Sequence, residues 1–310
     1  MKELNYRPPP PNRRRGRKPA PAGVRTGNIC LLMLGTSQSF LERPGVYATV
    51  TSVEKVLRRR GLSMLLATAV NLRDVPPAII ERQADGLLIV GEARDTLPAA
   101  YRSLPAVWLL SSHTRLHTWA DHVFPDNDAV GFIAAEYLIK RGHRLAAFVN
   151  DQPKHPGFEE RGRSFEYHAQ AHGLKVQMYI SAPNADQEAA AAEDPWGLAC
   201  ASQQVHLADQ LLNVNPRPTS LFVPTDEQAI RLYPLLEERG LRLGEDVEVI
   251  SCDNQDFWLR QLEPRPVSID LNFEMIGQRA VEQLLLRISH PEQPSGTRIL
   301  IPARLDEPEG

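Results

Sequence analysis

The sequence predicts an α/β fold of two lobes, each built on a parallel sheet covered by helices. Three observations carry that expectation. Short apolar runs alternate with segments of helical period along most of the chain, and the alternation comes in two successive series. The length, 310 residues, exceeds one small core and suits two lobes of about 120–150 residues each.

The first series opens at Ile29–Leu34, an unbroken apolar run of the kind a strand buried on both faces requires. Tyr47, Val50, Val53, Val56 and Leu57 then recur at helical spacing and stop at Gly61. Met64–Ala67 reads as a strand, Pro77–Gln83 as a helix and Gly86–Val90 as a strand. Val107–Leu110 and Val123–Phe124 are further short strands. Ala129–Arg141 is a helix with Val130, Ile133, Tyr137 and Leu138 on one face, ended by Gly142.

The second series repeats the plan. Leu145–Val149 is a strand, Phe158–His172 a helix closed by Gly173, and Val176–Ile180 a strand. Trp196–Leu212 and Glu227–Arg239 are helices, and Ser220–Val223 and Val247–Cys252 are strands. Repeated βα units join through right-handed crossovers, so each series predicts one parallel sheet. A helix from Phe273 to Ile288 and a strand at Arg298–Ile301 follow.

Ahead of these elements lies a segment of a different kind. Residues 7–26 combine prolines, which oppose helix and sheet, with arginines that repel one another, and they read as an extended linker. Eight basic residues face Glu3 alone within residues 1–27. That segment carries +7 and the remainder −10 of the net −3. A basic arm on an acidic body suits contact with a polyanion. Arg13, Arg14, Arg15, Arg17 and Lys18 are the candidate DNA contacts, and Arg15-Gly16-Arg17-Lys18-Pro19 is similar to the core of an AT-hook. A solvated basic spacer is the competing reading.

No apolar run approaches the ~20 residues of a membrane helix. The stretch Ile29–Leu34 is too short for a secretion-signal core, so a cytoplasmic protein is expected. Cys30, Cys200 and Cys252 are isolated in sequence and lack zinc-ligand or redox spacing.

Ligands of open α/β sheets bind beyond the carboxyl ends of the strands. The residues found there are Thr36, Ser37, Gln38, Ser39 and Phe40, then Asp126, Asn127 and Asp128. A loop after Val149 leads to Arg161, and Thr225, Asp226, Asp253 and Asn254 follow the later strands. Hydroxyls, carboxylates, amides and one guanidinium of this kind suit a small polyol, with Phe40, Trp196 or Phe273 as its apolar face. Several of these residues have a plainer alternative. Asp126, Asn127 and Asp226 stand where helix N-caps stand, Arg161 could pair with Glu159 or Glu160 on a helix surface, and Trp196 could be a packing residue.

Enzyme signatures are missing. There is no Gly-x-Ser-x-Gly elbow, phosphate loop, His-Glu-x-x-His or Gly-x-Gly-x-x-Gly after the first strand. No catalytic residue, metal site or cofactor is expected.

Several segments in order carry a resemblance to a known family. Residues 123–144 resemble the pattern V-x-x-D-N … L-x-x-x-G-H-R, and Arg161 with Phe165 resembles R-x-x-G-F with Ser164 in place of glycine. Pro218–Val223 with Thr225-Asp226 is similar to P-T-A-I-F … x-D. Residues 238–242 and 245–254 are similar to E-R-G-L-x-x-P-x-D-V-S-V-I-G-F-D-N. The chain thus resembles the lactose/galactose repressor (LacI/GalR) family of bacterial regulators over essentially its whole length. Leu271 stands where some sugar-binding members carry a polar residue, and Ser39-Phe40 departs from the usual Asn-Pro-Phe.

The resemblance implies two doubly wound lobes joined by three crossovers, as in type I periplasmic binding proteins. It implies an effector in the cleft, a homodimer formed through this core, and coupling to operator DNA. By analogy the crossovers fall near Gly142–His143, Ser268–Leu271 and His290. The expected units are a linker with the remnant of a DNA-binding headpiece (1–27), a first lobe (28–142 with 271–290) and a second lobe (143–270 with 291–310). The family's helix-turn-helix would precede Met1, and none is expected within the chain. Carried over residue by residue, Asp128, Arg161, Trp196, Thr225, Asp253 and Phe273 fall where such repressors contact effector, alongside Ser37, Ser39 and Phe40 from the first strand end. The expected activity is a sugar-responsive regulator; a solute-binding protein without a DNA role is the alternative, and a carbohydrate-active enzyme a weaker one.

Overall fold

The computed structural model describes residues 23–36, 38–91, 97–110, 118–182 and 201–306. The candidate DNA contacts Arg13, Arg14, Arg15, Arg17 and Lys18 lie outside the described residues, as do Ser37 and Trp196.

Two six-stranded sheets organise the chain. The first contains β1 (Asn28–Leu34), β2 (Ser63–Ala69), β3 (Gly86–Gly91), β4 (Ala106–Leu109), β5 (Asp121–Pro125) and β11 (Arg298–Ile301), in the order β11-β5-β4-β3-β1-β2. The second contains β6 (Leu145–Asn150), β7 (Lys175–Ile180), β8 (Ser220–Phe222), β9 (Glu248–Cys252), β10 (Val267–Asp270) and β12 (Arg304–Asp306), in the order β12-β10-β9-β8-β6-β7. All strand pairs are parallel except β10 with β12.

Strand β1 shows why the apolar runs are unbroken. Ile29, Leu31 and Met33 face one core cluster, with Val53 and Leu57 of α1 (Pro44–Arg59) and Ile276 and Val281 of α8 (Phe273–Ser289). Cys30, Leu32 and Leu34 alternate onto the other face, with Trp108, Tyr101 and Ile79 of the short helix α2 (Pro77–Ile80). Side chains alternate sides along a strand, so a strand covered on both faces needs apolar residues at every position. Helices α1 and α8 pack closely enough that a Cβ on Gly277 would lie 2.6 Å from the Thr49 carbonyl oxygen.

Two placements differ from the sequence analysis. Helix α3 (Asn127–Lys140), expected in the first lobe, puts Val130, Ala134, Tyr137 and Leu138 into a core shared with Phe148, Phe165, Phe222 and Ile250 of the second. The first connection between lobes is therefore at Pro125–Asp126, ahead of α3. The strand at 298–301, expected in the second lobe, pairs with β5 in the register Arg298↔His122 to Ile301↔Pro125 and belongs to the first. The chain crosses again at Pro302–Ala303, and only β12 joins the second sheet, on β10. Between these, β10 leads through Leu271 and Asn272 into α8, which packs on the first lobe. Helical periodicity identifies an apolar face but not the sheet that covers it, which explains the misplacement of α3.

The second lobe is completed by α4 (Pro156–Ala171), α5 (Ala201–Asn213), α6 (Asp226–Glu237) and α7 (Asp256–Leu259).

Candidate effector cleft

The carboxyl ends of both sheets face one cavity of about 120 Å³ between the lobes. Its floor in the second lobe is organised around Arg161. Helix α4 starts at His155, whose ring nitrogen accepts from the Phe158 amide at 3.3 Å, with Pro156 in the first turn. One and a half turns later Arg161 reaches the sheet end with 4% of its side chain exposed. Helices α3 and α4 lie in close contact here, since a Cβ on Gly131 would fall 2.5 Å from the Arg161 carbonyl oxygen.

Arg161 is held on three sides. Nε donates to Asn127 Oδ1 at 2.9 Å, Nη1 donates to the Pro224 carbonyl, and Nη1 lies 3.5 Å from Asp253 Oδ1. The Phe158 ring is 5.3 Å from the guanidinium carbon, within cation–π range. The Arg161 guanidinium is turned inward to Asn127, Pro224 and Asp253 rather than outward to Glu159 or Glu160 on the helix surface.

Asp253 follows β9 in a left-handed backbone conformation, φ +104°, and Asn254 does likewise at φ +49°. Such angles are unfavourable for residues other than glycine and persist where the surroundings enforce them. The enforcing contacts are visible. The Asp253 amide donates to the Ile269 carbonyl at 2.8 Å, the Asn254 amide to Ser268 Oγ at 3.0 Å, and the Gln255 amide to Asp226 Oδ2 at 2.6 Å. Burial pushes the Asp253 carboxyl up to about 8 against the opposing pull of Arg161.

Asp226 is fully buried and does not line the cavity. Its Oδ1 accepts from Ser251 Oγ at 2.5 Å and Ser268 Oγ at 2.7 Å, and burial raises it to about 6. It anchors the turn that carries Asp253. The cap of α6 is Thr225, whose hydroxyl accepts from the Gln228 amide at 3.0 Å. The cap of α3 is Asp126, which accepts from the Ala129 amide at 3.0 Å.

Of the residues singled out from sequence, the cavity brings together Phe40, Arg161, Thr225, Asp253 and Phe273. Asp128 is exposed on α3 and is not among the described residues that line the cavity. Its neighbour Asn127 is the residue that turns inward to Arg161. Ser37 and Trp196 fall outside the described residues, and so does the side chain of Ser39. Gln152, His155, Glu227, Gln255 and Trp258 also line the cavity and were not foreseen. The loop after β6 announced the first two only as a region. Gln255 and Trp258 reach the cavity from the turn and the short helix α7 that follow Asp253, which no local pattern reveals. Among the described residues no three His, Cys, Asp or Glu side chains converge as metal ligands. No described helix is long and apolar enough to cross a membrane.

A two-lobed body whose chain crosses three times between its sheets, with a cleft at the strand ends, has known counterparts. Residues 135–307 match the model of the periplasmic binding protein-like domain. The chain belongs to this family. Its relatives place it with the effector-binding cores of LacI/GalR-type regulators. It is 25% identical over 253 residues to the HTH-type transcriptional repressor PurR of Vibrio cholerae, covering 78% of this chain and 70% of that protein. It is 26% identical over 291 residues to the ribose operon repressor of Haemophilus influenzae, covering 89% and 79%. Among solved structures, the transcriptional regulator CelR in complex with cellobiose superposes with a TM-score of 0.71 at 21% identity, over 93% of this chain and 85% of that one. These relatives are named as repressors and regulators, not enzymes, which agrees with the missing catalytic motifs.

Proposed function

We propose that this LacI/GalR-type core binds a small sugar or sugar-like effector between its lobes and couples that event to operator DNA. The observation that carries the reading is the Arg161–Asp253 pair, one donor and one acceptor 3.5 Å apart at the floor of an inter-lobe cavity. Adjacent hydroxyls match such a pair. One accepts from the guanidinium and its neighbour hydrogen-bonds to the Asp253 carboxyl, which offers an acceptor oxygen in either protonation state.

The coupling follows from the three connections. They permit the lobes to rotate about one another, and a ligand bridging both walls favours one orientation. In a homodimer formed through this core, that rotation changes the spacing of the DNA-binding units. The basic arm supports the DNA role. Arg13, Arg14, Arg15, Arg17 and Lys18 meet phosphates or a narrow minor groove, with affinity falling steeply as salt rises. A cytoplasmic location fits this role.

The test is operator binding by the protein as its gene encodes it, followed by fluorescence anisotropy with and without a ligand that occupies the cleft. Effector and operator should alter each other's affinity by about 5–150-fold. An operator affinity unmoved by every cleft ligand overturns the regulator reading.

A further inference from the structure

The second lobe has a recess at the opposite edge of its sheet from the cleft. The amino ends of β6, β7 and β8 open there into a groove of about 990 Å³. Arg141, Arg144, Lys175 and Arg217 line it, together with the side-chain amides of Gln170 and Gln177.

Strand register brings these cations together. Leu145 pairs with Lys175, the Lys175 amide donates to the Arg144 carbonyl at 3.0 Å, and the Thr219 amide donates to the Leu145 carbonyl at 3.1 Å. Arg144, Lys175 and Thr219 thus stand at the starts of three neighbouring strands, each about 4.8 Å from the next. Arg217 precedes Thr219 by two residues, and Arg141 closes α3 at the same edge.

The turn that carries Arg144 is pinned. Glu248, at the start of β9, accepts from the Tyr137 hydroxyl at 2.6 Å and from Arg141 Nε at 3.1 Å, and its Oε2 lies 2.8 Å from His143 Nε2. His143 Nδ1 lies 3.0 Å from Thr219 Oγ1. Both Glu248 oxygens are therefore engaged in fixing Arg141 and His143. Asp246, close enough to Arg217 to feel its charge, is engaged by Arg242, with Oδ1 2.5 Å from Nη2 and Oδ2 2.9 Å from Nε. Arg217 also serves as a helix-end cation. Its Nη2 donates to the Leu212 carbonyl of α5 at 3.2 Å, which uses one of the five N–H donors that a guanidinium carries.

Guanidinium and ammonium groups around a recess match a dianion that offers several acceptor oxygens in a small volume, and that is the chemistry of a phosphate. We propose that this groove is a second ligand site, separate from the cleft, which takes the phosphate of a small molecule among Arg144, Lys175 and Arg217. Gln170 and Gln177 supply amide donors and acceptors for the rest of that molecule. The site does not depend on which effector the cleft takes.

The experiment is isothermal titration of the whole chain at low salt with inorganic phosphate and with glycerol 3-phosphate. One equivalent of at least one of them should bind, and the tighter of the two tells whether the groove takes the free ion or a phosphate ester. Arg144→Ala and Lys175→Ala should each weaken that ligand about tenfold, the loss of one charge-assisted contact. Both side chains are exposed, so both variants should melt with the wild type. Lys175→Arg keeps the charge and should bind within about threefold of the wild type. Binding of neither phosphate, or binding that survives in the Arg144→Ala/Lys175→Ala double variant, overturns the proposal. Loss of binding only when Arg13, Arg14 and Arg15 are changed to alanine places the phosphate on the basic arm and overturns it too. A short DNA duplex that displaces the phosphate, and loses its own affinity in the double variant, makes the groove a nucleic-acid contact and overturns it equally.

Discussion

Arg161 and Asp253 meet at the cleft floor with Nη1 3.5 Å from Oδ1, yet burial outweighs the guanidinium's pull and the carboxyl sits at about 8, far above its usual range. Between about pH 4, the ordinary carboxylate value, and pH 8 the folded chain therefore holds a proton that the unfolded chain has released. Stability must fall as pH rises through that window.

The first prediction follows from this sign. Asp253→Asn cannot release the proton, so it should flatten the decline of melting temperature between pH 6 and 8. A residual slope below about pH 6 should remain, because Asp226 is raised to about 6 and is untouched by the change. Parallel melting curves for the two proteins from pH 6 to 8 would show that Asp253 is ionised throughout.

A second prediction concerns the first lobe. Asp121 is fully buried at the start of β5. Its Oδ2 accepts from Arg287 Nε and Nη2 at 2.9 and 2.6 Å and from Gln283 Nε2 at 2.7 Å. Its Oδ1 accepts from the Gly296 and Thr297 amides at 3.0 and 2.9 Å. One carboxylate thus ties α8 and the approach to β11 to the sheet. Asp121→Ala would leave the Arg287 charge buried without its partner, at a cost of about 3–5 kcal/mol. Urea unfolding monitored by circular dichroism measures it, and a loss below about 1 kcal/mol would mean that water replaces the carboxylate.

The third prediction tests the seam between α3 and α4. A Cβ on Gly131 would lie 2.5 Å from both the Arg161 carbonyl oxygen and the Phe165 amide nitrogen, and these are backbone atoms that cannot rotate aside. Gly131→Ala should push the two helices apart at a cost of about 1–3 kcal/mol. It should also weaken cleft ligands, because Arg161 moves with its helix. Gly173→Ala gives the comparison: nothing lies within 4 Å of that Cβ, and its strain comes from a φ of +82° alone. A Gly131 variant that loses stability but keeps full ligand affinity would show that Arg161 is set by Asn127 and Pro224 rather than by helix spacing.

Much of the cleft was legible because ligand sites in parallel sheets collect at strand ends, and strand ends can be read from apolar runs. Arg161, Thr225, Asp253, Phe40 and Phe273 were reached in this way or by resemblance, and all five line the cavity. Asp128 shows the limit of that reasoning. One residue along a helix turns the side chain by about 100°, so Asn127 faces Arg161 while Asp128 faces water. The choice between them depends on how α3 is rotated against α4, which is a packing outcome. The cap of α6 is Thr225 rather than Asp226 for a similar reason: the aspartate turns away to the serines of β9 and β10.

The sequence by itself determined the kinds of element and their order, because strand and helix periods are written in neighbouring residues. Ile29–Leu34 is apolar at every position since both faces of β1 are covered, and that can be read without knowing by what. The tertiary structure decided which lobe each late element joins. It set β11 beside β5 through pairs such as Arg298 with His122, 176 residues apart, and gave α3 to the second sheet. It also decided the chemistry of the cleft. The upward shift of the Asp253 carboxyl depends on desolvation by residues distant in the chain, and burial is a property of the packed molecule that no local stretch of sequence contains.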